Sequence, residues 1–294
     1  MQMTQFKDKT LLVTGAGGHL GRLAVSELLE RGATRVVAGT RDPDQLADLA
    51  ARGVEVRRLD FDDVASMQSG FAGVDRALII STVASNRTEQ QSNAVTAAKA
   101  AGVKHLVYTS APNPRPNASV GGIADHYWTE QAIAASGLDF TLLRNHIYTD
   151  MVIVGAGAAL ASGQLFDATN GAGRNYVTRA DTARTAAGAL LSATGKEIYD
   201  VTGPAPVTQA EVAALYSQLT GKTVTRVGLT GEQLQAGLEA AGLPGFYAAL
   251  LVAFDLDAAA GHHAITTDTV ERFSGRRPEA LVDFVTANSA ALTA

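Results

Sequence analysis

Residues 11–21 read Leu-Leu-Val-Thr-Gly-Ala-Gly-Gly-His-Leu-Gly, an apolar strand running through glycines at 15, 18 and 21 into a helical pattern. A dinucleotide pyrophosphate needs bare backbone N–H groups and the positive end of a helix, with no Cβ atoms holding the chain away. Gly15 is placed for the tight turn, Gly18 for the approach of backbone to phosphate, and Gly21 for close packing of helix on strand. Leu20, Leu23, Ala24 and Leu28 share one helical face before Gly32 stops the helix, so the triplet has its strand-turn-helix context. A merely structural corner is the alternative.

At 294 residues the chain can bury a large core and hold one sizeable domain plus a smaller one. A net charge of -5 without lysine or arginine runs gives no electrostatic case for nucleic acid. Small molecules are the expected partners, and the oligomeric state stays open, a homodimer among the options. The chain has no cysteine, which removes disulfides, thiol nucleophiles and thiolate metal sites and fits a cytoplasmic protein. Residues 1–10 are polar, unlike a secretory signal, and the longest apolar stretches, 151–161 and 246–254, fall short of the roughly 20 residues that span a bilayer. No membrane association is expected.

Strand-like runs at 11–13, 35–38, 54–58, 76–81, 106–109 and 140–143 alternate with helical ones at 43–52, 64–71, 89–101 and 125–136. That rhythm predicts an α/β fold, a doubly wound parallel sheet of Rossmann type with helices on both faces. After Asn145 the chain turns rich in alanine and glycine, with a helix expected at 180–192 and a further strand at 197–201. Thr208-Gln209-Ala210-Glu211 is a capping box for a helix through Leu219, and mostly helices are expected from there on, including 232–241 and one after Phe246. The expected division is a Rossmann domain over 1–150 and 176–203, with a smaller, mostly helical substrate-capping lid over 151–175 and 204–294.

The second strand runs into Thr40-Arg41-Asp42-Pro43. An acid there would hold both ribose hydroxyls of NAD, whereas a 2'-phosphate needs a cation. Arg41 therefore favours NADPH, with NAD kept as the alternative because Asp42 could bind a diol and Arg41 could be a solvated surface residue. Asp60 is placed to accept from the adenine amino group while Phe61 flanks the ring; Asp62 and Asp63 are also placed to cap the next helix. Ser81 and Thr82 end the fourth strand where the sheet order reverses, so ribose and nicotinamide should pass them.

The glycine turn, Thr40 through Pro43, Ala97-Ala98-Lys99-Ala100-Ala101-Gly102-Val103-Lys104-His105, Tyr108-Thr109-Ser110 and Thr141-Leu142-Leu143-Arg144-Asn145 resemble the NmrA-like atypical short-chain reductases. Within them the chain is most similar to type 2 NAD(P)H:quinone oxidoreductases and triphenylmethane dye reductases. His126-Tyr127-Trp128-Thr129-Glu130 and the 145–150 segment lean toward the dye-reductase branch. The resemblance implies NADPH as hydride donor and a quinone or cationic dye as acceptor. Carried over by position, Gly15, Ala16, Gly17, Gly18, His19 and Leu20 form the phosphate loop and Arg41 binds the 2'-phosphate. Ser81, Thr82 and Val83 border the nicotinamide ribose, and Asn145 lies beside the nicotinamide. Relatives often carry a basic residue where this chain has Gln45.

Ordinary short-chain dehydrogenases use Tyr-x-x-x-Lys, the lysine tuning the tyrosine to protonate a carbonyl oxygen. The matching segment here is Tyr127-Trp128-Thr129-Glu130-Gln131, and a neutral Gln131 cannot tune Tyr127 in that way. Quinones and dye cations spread incoming charge over their own rings, so they suit such a site better than ketones, and positioning would supply most of the catalysis. Tyr127 either donates a hydrogen bond to a carbonyl acceptor or packs its helix on the sheet. Trp128, His146, Tyr148, Phe246 and Tyr247 are candidate walls for an aromatic substrate or packing residues. His146 and Tyr148 are favoured because they directly follow Asn145. None of the six histidines has metal-site spacing, and Ser110 lacks a nucleophile elbow. Two other functions stay open: carbonyl reduction with Tyr127 as proton donor, and a non-catalytic NAD(P)-binding redox sensor.

Overall fold

The protein is described by a computed structural model covering residues 4–118 and 121–292. Its strands are β1 (Thr10–Val13), β2 (Arg35–Thr40), β3 (Glu55–Arg58), β4 (Arg76–Ile79), β5 (His105–Ser110), β6 (Asp139–Asn145), β7 (Ile147–Tyr148), β8 (Gln164–Asp167), β9 (Arg174–Val177), β10 (Lys196–Val201), β11 (Pro206–Val207) and β12 (Thr225–Gly228). The helices are α1 (His19–Glu30), α2 (Ala47–Ala50) after a 3-10 turn (Pro43–Leu46), α3 (Val64–Gly70), α4 (Arg87–Ala100), α5 (Gly121–Ser136), α6 (Asp150–Ser162), α7 (Arg179–Ser192), α8 (Gln209–Thr220), α9 (Gly231–Ala240), α10 (Gly245–Ala259), α11 (Thr269–Ser274) and α12 (Leu281–Ala287).

Seven strands form one sheet in the order β10-β6-β5-β4-β1-β2-β3, every pair parallel. The order reverses between β1 and β4, the switch point at which doubly wound sheets bind ligands. Central strands are apolar along their length because both faces are covered. One face packs Leu11, Val13 and Leu78 against α1, α7 and α11; the other packs Leu12, Ile79, Leu106 and Tyr108 under α3, α4 and α5. α7 carries Gly188 and alanines at 180, 183, 186, 187 and 189, small residues that let it lie close to α1 and α11. Arg76, 5% exposed, donates to the carbonyls of Leu190 (2.6 Å) and Ala193 (2.7 Å) at the C-terminus of α7, where the helix dipole favours a cation.

The C-terminal region is rich in helices, as expected, with the Thr208–Glu211 capping box in place at the start of α8. It also carries strands that the expectation of helices omits: a three-stranded sheet β11-β9-β7 and a two-stranded parallel sheet β12-β8. The apolar 151–161 stretch lies within α6, whose Val152, Ala156 and Leu160 join α8 and α12 in a separate core. α11 returns to the large sheet, its Val270 and Phe273 buried in the α1–α7 core. No helix among the described residues is long and apolar enough to cross a membrane.

Two core histidines set an acid limit on this fold. His105 bonds Thr141 Oγ1 through Nε2 (2.9 Å) and His126 bonds the Tyr108 hydroxyl through Nδ1 (2.8 Å). Burial, reinforced by Arg76 and Arg87 respectively, lowers each imidazole to about 3. Each ring is neutral when folded, whereas the unfolded chain takes up a proton below about pH 6.5. Their contribution is thus complete above that pH and is lost as pH falls toward 3. The unfolding free energy measured by urea titration is expected to drop between pH 6 and 4 with a slope of about 1.4 kcal/mol per pH unit for each ring. His105→Gln should shallow that slope, and an identical slope in wild type and variant would exclude this origin.

Candidate active site

The functional side chains sit at the C-terminal ends of β1, β2, β3, β4 and β6, along one edge of the large sheet. At β1, Thr14 accepts from the Ile80 N–H (3.0 Å) and donates its own N–H to Leu78 (2.9 Å), fastening the loop across the switch point. Gly15 turns the chain at φ 62°, Ala16 N–H bonds the Gly39 carbonyl (2.9 Å), and Gly18 starts α1. No side chain caps α1, and its first turn holds no acid, so the positive helix end is uncompensated. A Cβ on Gly21 would stand 2.3 Å from the Gly15 carbonyl oxygen and 2.7 Å from Ala16 Cα. Within this loop Gly15, Gly18 and His19 are exposed, Gly17 is half-buried, and Ala16 and Leu20 are buried.

Beyond β2, Arg41 is exposed and makes no hydrogen bond or ion pair with a described residue. Asp42 instead turns back on its own segment, accepting from the Asp44 N–H (3.2 Å) to cap the 3-10 turn. Gln45 lies beside the glycine loop: its Oε1 would be 3.6 Å from a Cβ on Gly17. Arg22 on α1 holds this segment in place through Asp48 (2.8 Å) and the Gln45 carbonyl. That role had no signal in the sequence, since Arg22 reads as an ordinary helix surface residue.

After β3, Asp60 accepts from the Asp62 N–H (3.1 Å) in a local turn, and its neighbour Phe61 is only 8% exposed, its ring in the core. Phe61 therefore reaches this edge through its backbone rather than as a flanking ring. Asp63 alone caps α3, accepting from the Ser66 N–H (3.1 Å). Asp62 is instead held by Gln90 (2.8 Å) and Asn86 (2.9 Å) at the start of α4, and these bonds lower its pKa. At β4, the Ser81 N–H donates to Thr109 Oγ1 (2.9 Å) and Thr82 donates to Gln90 Oε1 (2.8 Å), while Val83 stands exposed. Thr109 and Gln90 thus shape the turn, although their local sequence marks them only as strand and helix residues.

Asn145 ends β6, 7% exposed, and its buried amide oxygen and nitrogen form no hydrogen bond with a described residue. An amide left so costs about 1–3 kcal/mol, which marks it as a group awaiting one. Tyr148 is near it. Burial raises the Tyr148 phenol above its usual range, the Asn145 amide and the Arg179 guanidinium partly opposing this. Arg179 stacks 5.0 Å from the ring centroid.

His146 does not form a wall of an open cleft. Its side chain is fully buried, with Nε2 3.3 Å from Asp200 Oδ1 and its ring edge-on to His263 at 5.9 Å. The chain turns from β6 into β7 at this point, and the side chain is carried inward against β10. Tyr127, half-buried on α5, packs edge-on to the exposed Trp128 (5.1 Å), and its phenol bonds no described residue. Phe246 and Tyr247 are exposed in the first turn of α10, edge-on to each other at 5.4 Å.

A second cluster ties the sheet edge together. Glu130, on α5 and 4% exposed, accepts from Ser110 Oγ (2.7 Å) at the end of β5 and from Arg144 Nε (3.0 Å) and a terminal nitrogen (2.7 Å) on β6. Ser110 is therefore engaged by Glu130 rather than turned to a substrate. A cavity of about 200 Å³ opens between this side and the C-terminal region, lined by Ile123, Ala249, Val252, Ala253 and Leu256. Arg115 and Asp257 close its rim with a paired contact (3.1 Å for the longer bond). The larger cavity, about 380 Å³, lies at the opposite edge among Thr10, Arg35, Glu55 and Gly73. Strand beginnings and helix C-termini face that space, which is the wrong polarity for phosphates.

The uncapped helix end, the packing that leaves no room for a Cβ at residue 21 and the unpartnered Asn145 amide together fit a pyridine dinucleotide laid along the sheet edge. Such a constellation on a doubly wound sheet defines a dinucleotide-dependent oxidoreductase. The chain belongs to the NAD(P)H-binding, NmrA-like family, whose NAD(P)H-binding model matches residues 15–193. Quinone oxidoreductase 2 of Escherichia coli is 35% identical over 94% of this chain and 97% of its own. The crystal structure of an Escherichia coli NADPH-dependent quinone oxidoreductase complexed with NADPH superposes with a TM-score of 0.90 at 32% identity, covering 95% of this chain and 100% of that one. Citrobacter triphenylmethane reductase complexed with NADP(H) gives 0.87 at 31% identity, covering 95% and 99%. The protein is thus an NAD(P)H-dependent oxidoreductase akin to quinone oxidoreductase 2.

Proposed function

We propose that the protein passes hydride from NADPH to a conjugated acceptor of quinone or dye type, held between the sheet edge and a lid drawn from residues 151–175 and 204–294, apart from α11, which packs on the large sheet. The observation that carries this reading is the engagement of Ser110 and Arg144 by Glu130, beside a neutral Gln131. The side chains that would tune a tyrosine acid are absent or committed elsewhere. An acceptor that delocalises its own incoming charge needs no such acid. The bound nucleotide supplies the hydride. The chain's part is to seat the pyrophosphate at the α1 N-terminus, to hold the nicotinamide end with Asn145, and to keep water from the reacting face. Carbonyl reduction through Tyr127 is less well supported, because its ring is packed against Trp128 and no cation bonds its phenol.

Preference for NADPH over NADH rests on Arg41, which makes no bond with a described residue, and on Asp42, whose carboxylate is occupied in capping. A charge-assisted phosphate contact is worth about 1.5–3 kcal/mol. Arg41→Gln is expected to raise KM for NADPH about 10–100-fold with little change for NADH. Loss of 340 nm absorbance on adding 1,4-benzoquinone tests the activity itself. Cofactor binding with no turnover of quinones, triphenylmethane dyes or simple ketones would refute the reductase reading.

A further inference from the structure

The cavity of about 200 Å³ beside α5 is walled by one face of α10, on which Ala249, Val252, Ala253 and Leu256 recur at helical spacing. Ile123, in the first turn of α5, lines it from the Rossmann side. The two helices approach closely there, since a Cβ on Gly122 would stand 3.6 Å from Leu250 Cδ1. Ile123, Tyr127 and Glu130 share one face of α5, spanning about 10 Å along the helix axis. Glu130 bonds Ser110 at the end of β5 and Arg144, the residue before Asn145 on β6. That face therefore runs from the cavity to the strand ends that carry Asn145. Between the two, Tyr127 is half-buried and its phenol bonds no described residue.

We propose that this cavity seats the ring system of the acceptor, admitting uncharged quinones of one or two fused rings and excluding the three-ring cation of a triphenylmethane dye. This rests on the reductase reading above. Pockets for drug-sized molecules run to about 300–1,000 Å³, so a space of about 200 Å³ holds a flat bicyclic ring and little more. The aliphatic groups of Ile123, Val252, Ala253 and Leu256 suit such a ring, which buries apolar area against them. The rim adds a charge filter. Arg115 and Asp257 pair across it, and Arg115, with 34% of its side chain exposed against 9% for Asp257, is the outer member. A dye cation meets a like charge at that rim, whereas an uncharged quinone does not.

The test compares 1,4-benzoquinone, 1,4-naphthoquinone and a triphenylmethane dye in wild type and Ala253→Leu, which fills part of the cavity from α10. In wild type, kcat/KM for the dye is expected to lie at least about tenfold below that for naphthoquinone, and a smaller gap overturns the size limit. In Ala253→Leu the ratio of kcat/KM for naphthoquinone to that for benzoquinone is expected to fall at least about tenfold, with NADPH affinity unchanged. A smaller fall overturns the proposal, as does a loss of both activities together. Should Ala253→Leu not fold, Ala249→Leu serves with the same criterion. Calorimetric affinity of 2-naphthol, an unreactive bicyclic ring, for the NADP+-loaded protein is read in parallel and should weaken at least about tenfold in the filled variant. If wild type binds NADPH but reduces none of the three acceptors, the reductase reading fails by itself. The 2-naphthol titration then decides: affinity lost on filling upholds the cavity as a ring-binding site, and affinity absent or unchanged overturns it.

Discussion

Gly21→Val is expected to weaken NADPH binding at least about 100-fold, measured by calorimetry, while the sheet remains folded by circular dichroism. The first carbon of any side chain at this position would stand 2.3 Å from the Gly15 carbonyl oxygen, so either loop or helix must retreat. Displacements near 1 Å in a positioning element cost about two orders of magnitude. Here the displaced atoms are the amides that meet the pyrophosphate, and the helix end moves with them. Overpacking adds about 1–3 kcal/mol of lost stability, visible as a lower urea midpoint. Affinity within threefold of wild type would show that the glycine loop is not the phosphate cradle.

Glu130→Ala is expected to destabilise the fold by about 3–5 kcal/mol. Removing the carboxylate leaves Arg144 without its two bonds and Ser110 without its acceptor, in a place where Glu130 itself is 4% exposed. The measurement is equilibrium urea unfolding at pH 7.5. The double variant Glu130→Leu with Arg144→Met should recover much of the loss, because a buried ion pair is harder to break singly than to replace whole. A single variant within 1 kcal/mol of wild type would mean that water serves these groups as well as the carboxylate does.

Much of this was legible in the sequence where the signal is local and repeated. The apolar runs of β1, β4 and β5 are covered on both faces, so their composition alone betrays them. Gly15, Gly18 and Gly21 were readable because strand, turn and helix follow within a dozen residues. The short strands β7, β9 and β11 were not, since pieces of two to four residues such as Arg174–Val177 carry too few positions to show a period. They exist only through pairing with distant partners. His146 was misplaced for a related reason: sequence adjacency to Asn145 says nothing of which way the chain turns beyond β6. Phe61 was read by its position at a strand end, and burial of its ring overrode that position. Arg22 and Glu130 act through partners far along the chain, so no local pattern announces them.

The return of α11 to the large sheet bears on how such proteins can be recombined. Val270 and Phe273 fill part of the core under α1 and α7, and Arg31 of the α1 C-cap donates to the Phe273 carbonyl (2.9 Å). A chimera that exchanges everything beyond residue 204 with a relative therefore also replaces a piece of the nucleotide-binding half. Grafting a new acceptor specificity would have to keep residues 269–274 with their native α7, or repack both surfaces at once.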